Sequence, residues 1–124
     1  MLGRIAGQVD DAPVRMSLAL GRVDGDKDLL KELVDTFLED LSERVAFLTA
    51  AIRRGDGQET FQLAHSLRGP LGILCAEKAL ALTGELETMG RASQLGDAAT
   101  VGHGFEQEIT RVAAFLSAFD WNSL

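Results

Sequence analysis

From residue 29 to residue 52 the apolar side chains step by three and four with hardly a break: Leu29, Leu30, Leu33, Val34, Phe37, Leu38, Leu41, Val45, Leu48 and Ile52. That spacing follows the 3.6-residue turn of an α-helix and gathers the apolar residues on one face. Aspartates at 24, 26 and 28 suit the N-terminus of such a helix, where they cap exposed amides and oppose the macrodipole. Arg53, Arg54 and Gly55 read as its C-terminal end. Ser42 and Glu43, just after Leu41, leave open either a bend or one unbroken helix.

The rest of the chain repeats the pattern. Gly55-Asp56-Gly57 punctuates the chain and starts a second helix, roughly 58–74. A third is predicted from about Ala76 to Arg91, with Ala79, Leu82, Leu86 and Met89 on its inner stripe. A polar loop over Ser93–Asp97 leads to a fourth, carrying Val101, Phe105, Ile109, Val112, Leu116 and Phe119. Gly102 and Gly104 weaken its first turns, by about 1 kcal/mol each relative to Ala. A short helix at 13–21, with Pro13 in its first position, is expected to lie across the bundle. There is no tyrosine and no sustained β-branched alternation, so strand signals are nearly absent. Short loops between long amphipathic helices favour antiparallel neighbours. The expected fold is all-α: an antiparallel up-down four-helix bundle with an extra short N-terminal helix. Residues 13–124 form the domain and residues 1–12 an N-terminal tail.

Composition excludes several classes of function. Twelve basic against nineteen acidic residues give a formal charge of −7, with no basic footprint for nucleic acid. Residues 24–43 hold eight acids and only Lys27 and Lys31, which is −6 of that −7. A solvated helix face explains such a stretch, and a docking surface for a basic partner is the alternative. One cysteine and two histidines, His65 and His103, leave no zinc site of Cys and His ligands. No run of about 18 apolar residues spans a bilayer, and no apolar core with a cleavage site marks the start for secretion. A cytoplasmic monomer is the expectation, without nucleic-acid or membrane partners.

The segment Phe61–Ala76, FQLAHSLRGPLGILCA, departs from the pattern. On a wheel of about 100° per residue with His65 at zero, Leu63, Leu67, Leu71 and Leu74 fall at roughly 160°, 200°, 240° and 180°. They make a core stripe, and His65 faces water opposite its centre. Gln58, Phe61, Arg68, Gly69 and Gly72 lie near His65, with Gln62 a little further round. Glycines on an exposed helix face cost about 1 kcal/mol each against Ala and need a reason. One reason is access, since they would let another protein's backbone reach the imidazole. The other is that Gly69 caps the helix and Pro70 stops it.

Ala64-His65-Ser66-Leu67-Arg68-Gly69, followed by Gly72, resembles the signature of histidine-containing phosphotransfer (HPt) domains of two-component phosphorelays. The acidic first helices, the Gly-Asp turn and the following helix with Leu86 and Glu87 are similar in order, over about residues 17–120. Four positions depart from the pattern. Arg68 stands where lysine is usual, Pro70 and Ile73 where small residues are usual, and Cys75 where glycine is common.

The resemblance implies phosphorelay signalling. His65 would accept a phosphoryl group from a receiver-domain aspartate and pass it to another receiver, the partners being response regulators or hybrid histidine kinases. The chain itself would bind no cofactor, Mg²⁺ coming with the receiver. Arg68, one turn along the same face, is placed to stabilise a transferring anion. Gln62 could hydrogen-bond a phosphate oxygen, and Phe61, Gln62, Gly69 and Gly72 would contact the partner. Neither GDG nor GHG has the spacing of a phosphate-cradling loop, so autokinase activity is not expected. Two alternatives stand beside this reading: the phosphoacceptor domain of a chemotaxis-type histidine kinase, and a helical adaptor without chemistry. His103 matches no motif. Cys75 is expected to be a buried small hydrophobe and Trp121 to pin the end of the last helix.

Overall fold

A computed structural model of the protein describes residues 12–124, so the expected tail lies outside the described residues except for Ala12. Five α-helices follow one another: α1 (Met16–Arg22), α2 (Lys27–Arg54), α3 (Gly57–Ile73), α4 (Glu77–Ala92) and α5 (Ala98–Ala118). A 3₁₀ turn over Trp121–Ser123 ends the chain, and there is no strand among the described residues. α2 packs on α3, α3 on α4, α4 on α5 and α5 on α2, which closes a four-helix bundle, and α1 rests on α2.

The helix ends follow their local chemistry. The Asp26 carboxylate accepts the Leu29 N–H at 3.0 Å and caps α2, which runs unbroken through Ser42 and Glu43. Gly55, at φ 71°, closes it in the left-handed conformation that glycine adopts without penalty. One residue on, Asp56 caps α3 by accepting the Glu59 N–H at 3.1 Å. At the far end, the Phe119 ring meets Trp121 edge-on at 5.2 Å.

The expectation for the first helix is corrected. Pro13 does not open it; α1 begins at Met16. Val14 is buried in the core and the Arg15 N–H donates to the Leu74 carbonyl at 3.2 Å. Both ties hold residues 13–15 against the end of α3 and outside the helix.

The buried stripe of α3 is also rotated from the expected one. Leu67, Leu71 and Leu74 are buried as expected, Thr60 and Ala64 are buried with them, and Leu63 is only half-buried. On α4 the buried positions are Ala79, Thr83, Leu86, Glu87 and Gly90, with Leu82 and Met89 half-buried. The cause is a backbone-to-backbone approach of the two helices. A Cβ on Gly90 would lie 2.6 Å from the Gly57 carbonyl oxygen and 2.6 Å from the Phe61 nitrogen. With no side chain between the helices there, the small residues Thr60, Ala64, Ala79 and Thr83 are buried, and Leu63, Leu82 and Met89 stay half-buried.

α3 does not end at Gly69. It continues through Pro70 to Ile73. Pro70 has no N–H, so the Ser66 carbonyl lacks its partner four residues on. Arg44 of α2 donates to that oxygen instead, at 3.5 Å. The helix then closes with Cys75 in the left-handed region (φ 54°), the Ala76 N–H on the Leu71 carbonyl and the Cys75 N–H on the Gly72 carbonyl. This is a Schellman closure with cysteine in the place where glycine fits best. Cys75 is buried as expected, and its sulfur also accepts the Arg22 Nε–H at 3.2 Å.

The close approach predicts opposite effects for two glycines. Gly90→Ala should destabilise by about 2 kcal/mol or more, because its Cβ would strike backbone rather than a flexible side chain. Gly72→Ala, whose Cβ meets nothing within 4 Å, should be neutral or stabilising by up to about 1 kcal/mol. Urea unfolding of both variants checks the pair.

Candidate functional site

His65 projects from the middle of α3 with 65% of its side chain exposed. It is not free in water, however. Its Nδ1 lies 2.7 Å from Oε2 of Glu87, a residue of α4 whose side chain is 8% exposed. The other carboxylate oxygen, Oε1, accepts from Arg68 Nη1 at 3.1 Å and has Arg91 Nη2 at 3.8 Å. Phe61, one turn before His65, stacks on the imidazole with centroids 5.7 Å apart and planes 17° from parallel. The Arg91 guanidinium covers the Phe61 ring at 4.9 Å from its centroid. Arg91, Phe61 and His65 thus form one stack beside the carboxylate.

The electrostatics fix the state of this cluster. Burial pushes the Glu87 carboxyl up, but the His65 hydrogen bond and the charge of Arg68 outweigh it and hold the group below its ordinary value. Glu87 is therefore ionised at neutral pH and can only accept. The proton on the His65–Glu87 bond must then sit on Nδ1. In the neutral ring that leaves the lone pair on Nε2, the nitrogen away from Glu87. Such an imidazole can act as a nucleophile at one defined atom.

The structure brings together three of the residues singled out in the sequence, His65, Arg68 and Phe61. Gln62 is exposed next to them on α3. Gly69 and Gly72 face open space, where a Cβ would meet nothing within 4 Å. Packing inside the molecule does not require a glycine at 72. At 69 a missing Cβ also relieves the clash that a helical residue makes with a following proline. His103 lies on α5 beside a separate cavity with Arg53 and Glu106.

Sequence reasoning missed the roles of Glu87 and Arg91. Their i, i+4 spacing is that of an ion pair on one helix face. The further signal was an acid within a stripe whose other members, Ala79, Thr83, Leu86 and Gly90, are buried. A buried acid needs partners, and here Arg91 comes from its own helix and His65 and Arg68 from α3.

The model of the family described as Hpt domain matches residues 32–115. The chain belongs to the Hpt domain family. This Hpt domain is similar to histidine-containing phosphotransfer protein B (HptB) from Pseudomonas aeruginosa PAO1, known from its crystal structure. The two align with a TM-score of 0.77 and 26% sequence identity, over 86% of this chain and 93% of that one. No curated protein matches it at a significant level. Histidine phosphotransfer in phosphorelay signalling is accordingly the function of this Hpt domain. Among the described residues no helix is long and apolar enough to cross a membrane.

The Glu87 cluster should make stability depend on pH. Its folded-state pKa is depressed, so its contribution is present above the ordinary carboxylate range and is lost as pH falls through the folded value. At pH 7, Glu87→Gln should cost roughly 1–3 kcal/mol, the worth of hydrogen bonds to a charged group. The gap between wild type and variant should close as the pH is lowered below about 4. Urea unfolding of both proteins from pH 7 to pH 3 measures it.

Proposed function

We propose that His65 is the phosphoacceptor of this Hpt domain, and that Nε2 is the atom that takes the phosphoryl group from a receiver-domain aspartyl phosphate. The observation that carries the proposal is the 2.7 Å bond between His65 Nδ1 and the ionised Glu87. The Nε2 lone pair attacks phosphorus in line, a P–N bond forms, and the P–O bond to the aspartate breaks, returning a carboxylate. The ring keeps its Nδ1 proton and becomes cationic, and the Glu87 carboxylate neutralises that charge. Transfer to a second receiver is the same step in reverse, with a new aspartate oxygen attacking phosphorus and Nε2 leaving.

The partners in this reading are receiver domains of response regulators or hybrid histidine kinases. The receiver brings the Mg²⁺ and most of the catalytic groups. This chain contributes the nucleophile, its orientation and a nearby cation. Arg68 is shared with Glu87 in the resting site and is half exposed, so it can turn toward a phosphoryl group on Nε2. Phe61 and the bare backbone at Gly69 and Gly72 give the receiver an unobstructed approach, and Gln62 lies at its edge.

His65→Gln should abolish phosphoryl uptake from a phosphorylated receiver, and His103→Gln should transfer normally. Acid-labile, base-stable label on the wild type and on His103→Gln alone is the expected result. Label on His65→Gln would refute the assignment.

Arg68→Ala should lower the maximal transfer rate by about tenfold or more, because an interaction made with the charge in flight appears in the rate constant. Arg68→Lys should recover much of it, since one charge is what the role demands. Saturation kinetics at two ionic strengths separate this from simple pairing with the receiver surface. Simple pairing would instead raise the half-saturating concentration and flatten its salt dependence.

A further inference from the structure

Ten residues beyond His65, where α3 closes, a cavity of about 320 Å³ opens between the segment leading into α1, the end of α3, the start of α4 and the middle of α5. That volume is at the small end of ligand pockets. Arg15, Cys75, Glu77, Lys78, Glu108 and Arg111 line it. None of them takes part in the His65 cluster.

Glu108 leaves one demand in this cavity unmet. Its side chain is 2% exposed. Oε1 accepts from Arg111 Nη1 at 2.9 Å and has Lys78 Nζ at 3.8 Å. Oε2 is buried and has no hydrogen-bond partner. A buried carboxylate oxygen without a donor is costly, and an N–H group of a ligand in the cavity would supply one.

Cys75 brings a nucleophile to the same cavity. It stands at φ 54°, a conformation that glycine adopts more easily, and it is the sole cysteine of the chain. It is 7% exposed and lines the cavity, which is therefore its way to solvent. The Arg22 Nε–H donates to its sulfur at 3.2 Å. Thiols react as thiolates, and a guanidinium on the sulfur with further cations nearby is the setting that favours such chemistry.

The local charge selects the class of molecule. Among the described residues, three cations and two carboxylates line the cavity, in a chain of net charge −7. The molecule as a whole repels an anionic reagent, whereas this cavity offers it Lys78, 70% exposed, with Arg15 and Arg111 in the same walls.

We propose that Cys75 forms a mixed disulfide with a small peptide disulfide of the glutathione type. Such a molecule has carboxylates for the cations, N–H groups for Glu108 Oε2 and a sulfur for Cys75. Cys75 gives its thiol proton to water, and its sulfur attacks one sulfur of the reagent. The new S–S bond forms as the old one breaks, and the departing thiolate takes up a proton. Cys75 is oxidised, half of the reagent is reduced to a thiol, and a further thiol reverses the step. The proposal does not depend on the phosphotransfer reading.

The test incubates the full chain with one of three reagents and counts adducts by intact mass. The reagents are glutathione disulfide, dithiodipropionate (carboxylates but no N–H) and hydroxyethyl disulfide (neither). With one cysteine in the chain, every adduct is on Cys75. Each rate is divided by the rate of the chain unfolded in urea, which removes the reagents' own differences in reactivity. The quotient should be greatest for glutathione disulfide, by about tenfold over hydroxyethyl disulfide, with dithiodipropionate between them. Lys78→Gln, at an exposed side chain, should reduce that advantage several-fold. Equal quotients for the three reagents, no adduct on the folded chain, or a full advantage retained in Lys78→Gln would each overturn the proposal.

Discussion

A carboxylate withdrawn from water has to be matched by charge or by donors, and Glu87 is matched from three directions. His65 occupies one oxygen, and Arg68 and Arg91 share the other. Because Glu87 is ionised and can only accept, the histidine proton is fixed on Nδ1 and the lone pair of the neutral ring on Nε2. Because the same carboxylate gathers Arg68 and Arg91, positive charge is stored within a side chain's reach of the imidazole. Phe61, held between Arg91 and His65, keeps the ring plane aligned. The geometry of the whole exposed site depends on this one buried group.

Glu87 reaches the site through the packing of two helices. Gly57 and Gly90 let the α3 and α4 backbones come together where no side chain would fit. Glu87 lies one turn before Gly90, His65 a little over two turns after Gly57, and the two meet across the interface. The approach also places the small residues Thr60 and Ala64 against α4. That rotation brings His65 to the edge of the interface, within reach of α4 while most of its ring stays in solvent. An imidazole fixed on one side and open on the other suits the transfer proposed for it.

On its other side α3 is irregular, and the irregularities are compensated locally. Pro70 removes a helix donor, and Arg44 supplies another from α2. Cys75 occupies a left-handed position that glycine would take more easily, within a complete Schellman closure and with its sulfur bonded by Arg22. The last turn of α3 is therefore held by its neighbours α1 and α2 as well as by its own hydrogen bonds.

The sequence by itself determined the architecture and the shared part of the site. The three-and-four spacing from Leu29 to Ile52, the Asp26 and Asp56 caps and Gly55 are local signals, and local hydrogen bonds and helical periodicity suffice to read them. The exposure of His65 and the position of Arg68 one turn later follow from the same periodicity. Only the tertiary structure decided how far the buried face of α3 is turned, because that depends on how closely α4 can approach. Thr60 and Ala64 replaced Leu63 in the core for that reason, and Val14 and Arg15 kept Pro13 out of α1 by contacts with the end of α3. The same holds for Glu87. In sequence it is one acid among nineteen, 22 residues from His65. It becomes the orienting group only where two helices cross at a pair of glycines, since the energy of a buried charge is set by the partners that folding brings to it.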